Sequence, residues 1–324
     1  MPPISANTNL QNSYVEAIAL RTSVLLASRF ILPAILAPIE DLRPERVGNE
    51  VRVLRDPKGT VRDVVDDRTN PNTTDAPTQN SDTVTLDYYR TVGFKWGQKD
   101  QVIAQPEITI NRYANSGAKQ LGSDIESKTL SDIANDPNIP VDNEVGTVGV
   151  AMNRKTLSSV VEKFIENEVD MEDRVLILSP RHYKECLDND VFVSEDFVTK
   201  GAIESGVLTA QLYGMTIYVS PRLDTNDNLT SVTGTDTNRV SLALDKKAVL
   251  FTMAQIEEPA GIGATFAQES IDGMMAASYL WFNADTRTNQ LAMDALWGVK
   301  VVKNPTTINA NDVTNVFVLL GGTV

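Results

Sequence analysis

The spacing of hydrophobic positions changes character along this chain. Residues 1–40 open on a polar tail. Tyr14, Ile18 and Leu25 then recur near helical spacing, and Ser13 with Glu16 fits an S-x-x-E capping box, which predicts a helix start there. Pro33 and Pro38 interrupt the pattern. From residue 43 the period drops to two. "VRVLRDPKGTVRDVV" alternates and turns at Asp56-Pro57-Lys58-Gly59, which predicts a hairpin, and "TVTLDYYRTVGFKW" alternates again. Between them "RTNPNTTDAPTQNSD" (68–82) has no periodicity and reads as a loop or mobile tip.

Residues 105–135 return to the helical period. Pro106 suits a first helical position, and Ile110, Ala114, Ala118, Leu121, Ile125 and Ile133 make one narrow apolar stripe. Gly117 and Gly122 are expected to weaken it. At ~1.5 Å per residue, about 28 residues span roughly 40 Å, which is long for a compact domain and suits a spine.

From 136 to about 280, short strands and helices alternate. Leu157, Val160, Val161, Phe164, Ile165 and Val169 lay out an amphipathic helix. "RVLILS" reads as a buried strand and "PRHYKECLDND" as the helix after it; "LYGMTIYVS" and "VSLALDKKAVLFTM" add strands, the latter broken by a turn or short helix. Beyond roughly 270, "QESIDGMMAASYLWFNADTRTNQLAMDALWGVKVVKNP" predicts a strand, a polar turn and a short strand ending in Trp297-Gly298-Val299. "NVFVLLGGTV" supplies a final strand. The pattern as a whole is α+β.

Composition narrows what such a chain does. With 324 residues and 42% hydrophobic content it can bury a large core and more than one folding unit. No run approaches the length of a membrane span, and the Met-Pro-Pro-Ile start lacks the pattern of a secretory signal. One cysteine excludes an intrachain disulfide, and the sequons at Asn72 and Asn228 carry little meaning without export. The net charge of −14 lies entirely in residues 100–324, which hold 17 basic and 31 acidic side chains; residues 1–99 hold 12 of each. So acidic a body is a poor partner for phosphate backbones, which argues against nucleic-acid recognition even where nucleic acid lies nearby.

The neutral N-terminal third has its own charge pattern. Within 43–68, Arg43, Arg46, Arg52, Arg55, Arg62, Arg68 and Lys58 interleave with Glu45, Glu50, Asp56, Asp63, Asp66 and Asp67. Strands this charged bury little apolar surface, and an isolated hairpin is marginal in water. Either the arm is a solvated surface hairpin or its opposite charges pair with another copy of the chain.

Candidate chemistry is sparse. His182 and Cys186 stand four apart, on one helix face. A nucleophilic thiol needs an electropositive, exposed setting, and Glu185, Asp188 and Asp190 outnumber Arg181 and Lys184 here. Tyr183, Cys186 and Leu187 form a plausible buried face with His182 at its edge, so packing is the favoured role. Zinc would need two further ligands, and only carboxylates remain. "ENEVDMEDR" (166–174) lacks the spacing of a calcium loop and reads as a solvated helix end. "DTNDNLT" has Leu229 where a calcium loop turns on glycine, and "GIGATF" lacks the third glycine of a dinucleotide fingerprint. Nothing singles out one carboxylate pair among 43 acids. No catalytic, cofactor or metal residue is therefore assigned.

The order of elements resembles the major capsid proteins of tailed bacteriophages, whose shared architecture is the HK97-like fold. "VLILSPRHYKECL" looks like the strand and helix of the axial A-domain, "QLYGMTIYVSPRL" like its strand ending in a Ser-Pro loop, and "NADTRTNQLAMDALWGVKVV" like the returning P-domain segment. On this resemblance residues 1–42 are the N-terminal arm, 43–104 the extended E-loop and start of the P-domain, 105–145 the spine helix and P-domain, 146–275 the A-domain, and 276–324 the P-domain return with a C-terminal strand. The pattern is nearest to the P22 coat-protein type, without that type's inserted domain. No covalent Lys–Asn crosslink is assignable, and no long cleavable N-terminal scaffold segment is present.

The resemblance implies a non-enzymatic, cofactor-free shell protein of the virion, assembled in the host cytoplasm. Its partners are its own copies in hexamers and pentamers, with a separate scaffolding protein or none, portal and decoration proteins as further candidates, and packaged double-stranded DNA nearby; no membrane is involved. The inter-subunit contacts are expected at Arg43, Arg46, Arg52, Arg55, Arg62, Arg68, Asp63, Asp66 and Asp67. The alternatives are an encapsulin-type cellular compartment, which shares this fold, and a soluble enzyme using carboxylates or Cys186.

Overall fold

The computed structural model describes residues 5–36, 45–54, 81–97, 106–147, 150–188, 211–224, 239–257, 265–302 and 314–321. Among these the helices are α1 (Ser5–Arg29), α2 (Leu32–Ile35), the spine helix α3 (Pro106–Ala134), α4 (Arg154–Glu166) and α5 (Pro180–Asp188). The strands form three sheets.

The six-stranded sheet contains β5 (Glu144–Gly146), β6 (Arg174–Leu178), β7 (Gln211–Leu212), β8 (Met215–Val219), β9 (Arg239–Asp245) and β14 (Val316–Gly321), in the order β5-β14-β9-β6-β8-β7. The five-stranded sheet holds β4 (Tyr88–Gly97), β10 (Val249–Met253), β11 (Thr265–Ile271), β12 (Met274–Asn283) and β13 (Thr288–Val301). The small sheet is β1 (Glu45–Val47), β2 (Glu50–Leu54) and β3 (Ser81–Thr85), with β2 central.

The spine helix opens on Pro106 as expected, and Ala114, Ala118, Leu121, Ile125 and Ile133 are all buried. Gly117 and Gly122 are not weak points. A Cβ at Gly117 would overlap the end of the Met293 side chain, and one at Gly122 would overlap the Phe30 ring. These glycines let the helix lie close on β13 and on the chain that follows α1, and this close packing offsets their poor helix propensity.

Helix α1 begins at Ser5, so Ser13 lies inside the helix and the capping-box reading of Ser13 and Glu16 is corrected. The preceding Ala6–Asn12 stretch contains no proline or glycine to stop a helix already propagating. The inward stripe of α1 is Val15, Ile18, Ala19, Thr22, Ser23 and Leu26, which packs on β11 and β12. The helix ends before Pro33, which sits inside the short α2 turn.

In α4, Leu157, Val160 and Phe164 point inward and Asn153 caps the N-terminus, its side chain accepting from Thr156 N. Phe164 meets Phe317 of β14 edge-on, at 4.9 Å between centroids. Ile165 departs from expectation and is 59% exposed. It lies one step around the helix from Phe164, outside the arc that the sheet covers. "RVLILS" is β6, buried along its length.

"VSLALDKKAVLFTM" is broken by a single helical turn at Lys246–Ala248, but its halves part company. β9 joins the six-stranded sheet and β10 the five-stranded one. Segment 146–275 thus contributes to both sheets, and β14 from the last segment returns to lie between β5 and β9. A further correction concerns Trp297-Gly298-Val299: it does not end a short strand but lies within β13, the longest described strand, which pairs with β4, β10 and β12. The two large sheets share one core, from Val175, Ile177, Leu242 and Leu244 to Phe251, Ala295 and Trp297, with Leu121, Ile125 and Leu130 of the spine helix packed into it.

Candidate assembly surface

The small sheet is where the charged arm joins the body. β1 and β2 form a hairpin with Val47 opposite Glu50, closed by Gly48-Asn49; the positive φ of Gly48 suits the first position of a two-residue loop. β2 pairs with β3 from Glu50↔Thr85 to Leu54↔Ser81, so the segment between residues 54 and 81 leaves from adjacent strand ends. The alternation predicted here holds: Val51, Val53 and Val84 are buried, while Glu50 and Arg52 are exposed.

Among the described residues, one small hydrophobic cluster joins this sheet to the body. Val51 and Leu86 meet Ala254, with Leu296 packed against them. Polar contacts do the rest. Leu86 N donates to Asn49 O at 2.8 Å, and Lys300 Nζ donates to Thr83 O at 3.0 Å while standing 4.0 Å from Asp82 Oδ1. Immediately beyond, Tyr88 stacks on Trp297 at 5.3 Å, and its hydroxyl donates to Asp132 of the spine helix at 2.9 Å. At Gly298 the two sheets cross so closely that a Cβ there would overlap the Thr85 carbonyl oxygen.

Of the expected contact residues, Arg52 lies on β2 with its side chain exposed. Arg46 lies on β1 opposite Val51, and its side chain is outside the described residues. Arg43, Arg55, Arg62, Arg68, Asp63, Asp66 and Asp67 are outside the described residues, as is the Asp56–Gly59 turn. The sequence reading missed the anchoring group Asp82, Leu296, Gly298 and Lys300. The available signal was the isolated glycine inside the alternating "DALWGVKV", a mark of close backbone approach.

A second polar junction ties the six-stranded sheet to the spine. Glu126, 2% exposed, accepts from Ser220 Oγ at the end of β8 and from Arg222 Nη1 at 3.3 Å. Arg222 also donates to Ser123 Oγ at 3.0 Å and stacks over Phe30. The buried carboxylate is thereby paired and hydrogen-bonded, which is the condition for tolerating its desolvation.

His182 and Cys186 are packed in the interior. His182 is fully buried, not at the edge of its helix, and its Nδ1 lies 2.6 Å from Ser241 Oγ of β9. Cys186 is equally buried beside Met152, and burial, helped by Glu185, pushes its thiol up to about 12. A nucleophile needs the opposite shift. In "ENEVDMEDR", Asp173 and Asp170 face Lys247 Nζ at 2.7 and 3.8 Å. The Lys247 pKa is raised, first by its hydrogen bond to Asp173. Among the described residues no group of three or more His, Cys, Asp or Glu side chains is placed to hold a metal ion. Residues 225–230 and 261–264, most of the two discarded loop motifs, are outside the described residues.

No protein-family model matches the sequence, and no curated protein is recognisably similar to it. Solved structures do match. The capsid structure of the cyanophage P-SCSP1u superposes with a TM-score of 0.57 at 14% identity, over 89% of each chain. A structure from Mycobacterium phage Che8 gives 0.53 at 16% identity, over 84% of this chain and 85% of that one. The mature capsid of bacteriophage PhiM1 gives 0.53 at 13% identity, over 84% and 82%. The likeness is one of fold: this chain has the α+β, HK97-like fold of tailed-phage capsid subunits.

Proposed function

We propose that this chain is the major capsid subunit of a tailed bacteriophage and assembles with its own copies into hexamers and pentamers of an icosahedral shell around double-stranded DNA. The observation that carries this reading is the match in fold to phage capsid structures along most of both chains. On this reading the six-stranded sheet is the A-domain, the five-stranded sheet with the spine helix is the P-domain, and the three-stranded sheet is the root of the E-loop. The charged arm, with Arg52 and the other arginines and aspartates of 43–68, lies across a neighbouring subunit and pairs with its acidic body. Scaffolding, portal and decoration proteins are the further partners, and the virion is the final location. The acidic body at the inner wall would let packaged DNA slide instead of adhering.

The arm contacts are many and individually weak, since one exposed ion pair contributes ~0–1 kcal/mol. A lattice repeats each contact, so modest energies accumulate. Screening over ~8–10 Å at physiological ionic strength means high salt loosens the shell. The test is to express the chain alone and image it by negative-stain electron microscopy, with sedimentation at low and high salt. Closed shells, sheets or free capsomers that loosen in salt support the reading. A compact monomer that stays monomeric with scaffolding protein present contradicts it.

A further inference from the structure

Gly298 and Lys300 lie two residues apart on β13, where the five-stranded sheet meets the root of the arm. On one edge β13 pairs with β4 up to Trp297↔Tyr88, and there the chain of β4 departs through Asp87 and Leu86 into β3. Thr85 crosses directly over Gly298, with no room for a Cβ between them. Two residues on, the Lys300 ammonium binds the Thr83 carbonyl and faces Asp82. These contacts hold three of the five residues of β3, whose other edge carries β2 and, through it, β1. Among the described residues only Val51 of this sheet joins a hydrophobic cluster with the body, through Leu86, Ala254 and Leu296, and so small a cluster does not by itself fix the sheet's angle. A close backbone crossing and a charged donor to a backbone carbonyl do fix it, because both depend steeply on geometry.

We propose that Gly298 and Lys300 are positioning residues that aim the arm: they set the direction in which segment 55–80 leaves the body. The consequence for assembly rests on the capsid reading; the aiming does not. A side chain at 298 would meet backbone, which cannot swing aside as a side-chain end would, so the two sheets must shift relative to each other. Loss of the Lys300 amine would release β3 more mildly and leave the crossing intact.

The experiment measures aim and assembly separately. Ser81→Cys, at the exposed start of β3, and Ala284→Cys, at the exposed β12–β13 turn, take spin labels; native Cys186 is buried and stays unlabelled. The distance distribution between the labels is read in the otherwise unaltered chain, in Gly298→Ala, in Lys300→Ala and in Lys300→Arg, alongside thermal unfolding and assembly. The expected result is a shifted or broadened distribution in Gly298→Ala and Lys300→Ala, recovery in Lys300→Arg, nearly unchanged unfolding in the two Lys300 variants, and an assembly threshold raised at least tenfold in Gly298→Ala and Lys300→Ala. Should Gly298→Ala fail to fold, the Lys300 pair decides the matter. An unchanged distribution in Lys300→Ala overturns the inference whatever assembly does. An altered distribution with normal assembly overturns the claim that the aim matters for the lattice. If the unaltered chain never assembles, even with scaffolding protein present, the capsid reading fails while the distances still judge the aiming.

Discussion

The body and the root of the arm are stabilised on different scales. The two large sheets share a core in which Trp297, Leu121, Ile125, Val175 and Leu242 are all buried, closed on one side by the spine helix and the end of α1. Among the described residues of the three-stranded sheet, Val51 alone joins a hydrophobic cluster with the body, together with Leu86, Ala254 and Leu296. Full burial of one large aliphatic side chain contributes ~1.5–3 kcal/mol, so the body has many such contributions, whereas the described residues of the arm root have a few, from Val51, Val53, Val84 and Leu86. A subunit built this way keeps its fold when its surfaces are unoccupied. On the capsid reading, the part proposed to meet its neighbours is the part with the smaller apolar support.

Substitutions sharpen the contrast, beginning with the largest expected effect. Trp297→Ala removes the side chain at the junction of β4, β10 and β13 and should cost about 3–5 kcal/mol in denaturant unfolding. A cost below about 1 kcal/mol would show that the shared core is not what holds the body. Glu126→Ala removes the acceptor of the Ser220 hydroxyl and the Glu126 ion pair of Arg222. Because Arg222 is partly exposed, the cost should be about 2–3 kcal/mol, under the range for a wholly buried pair. Gly122→Ala sets two effects against each other. An exposed helix would gain about 1 kcal/mol from the change. Here the Phe30 clash should instead give a net loss of about 1–3 kcal/mol, so the sign of the melting shift is the readout.

Alkaline pH acts on the body as well. Folded Cys186 and Tyr88 both sit at about 12, raised first by burial from 9.0 and 10.0. Each holds its proton more tightly folded than unfolded. Their contribution is therefore intact below about pH 9 and is lost as pH climbs towards 12. Urea midpoints at pH 8, 10 and 11 should fall in that order, and Cys186→Ala should flatten the dependence. The smallest effect on stability belongs to the arm. Arg52→Ala, on an exposed face, should change unfolding by no more than about 0.5 kcal/mol. Its effect should appear in assembly, read by sedimentation.

Legibility in the sequence divides along similar lines. The stripe Ala114–Ile133 and the strand Arg174–Leu178 were readable because each buries a face set by local period. What escaped depends on residues far away in the chain. Gly117 and Gly122 look like weak helix positions until Met293 and Phe30 are placed beside them. Ile165 fits its helical pattern but not the width of the face that the sheet covers. "VSLALD" and "VLFTM" read as similar strands, yet their pairing partners put them in different sheets. At the candidate surface the charged arm was visible in composition. Its anchor was not, because Lys300 and Asp82 are 218 positions apart in the chain.

The most direct test of the proposal that assembly needs the arm while the fold of the body does not is negative-stain microscopy and sedimentation of the chain with and without residues 55–80, with thermal unfolding of both. The account predicts shells or capsomers from the full chain, and non-assembling subunits from the deletion with a melting temperature close to the full chain's. Assembly of the deleted chain at the same concentration would contradict it.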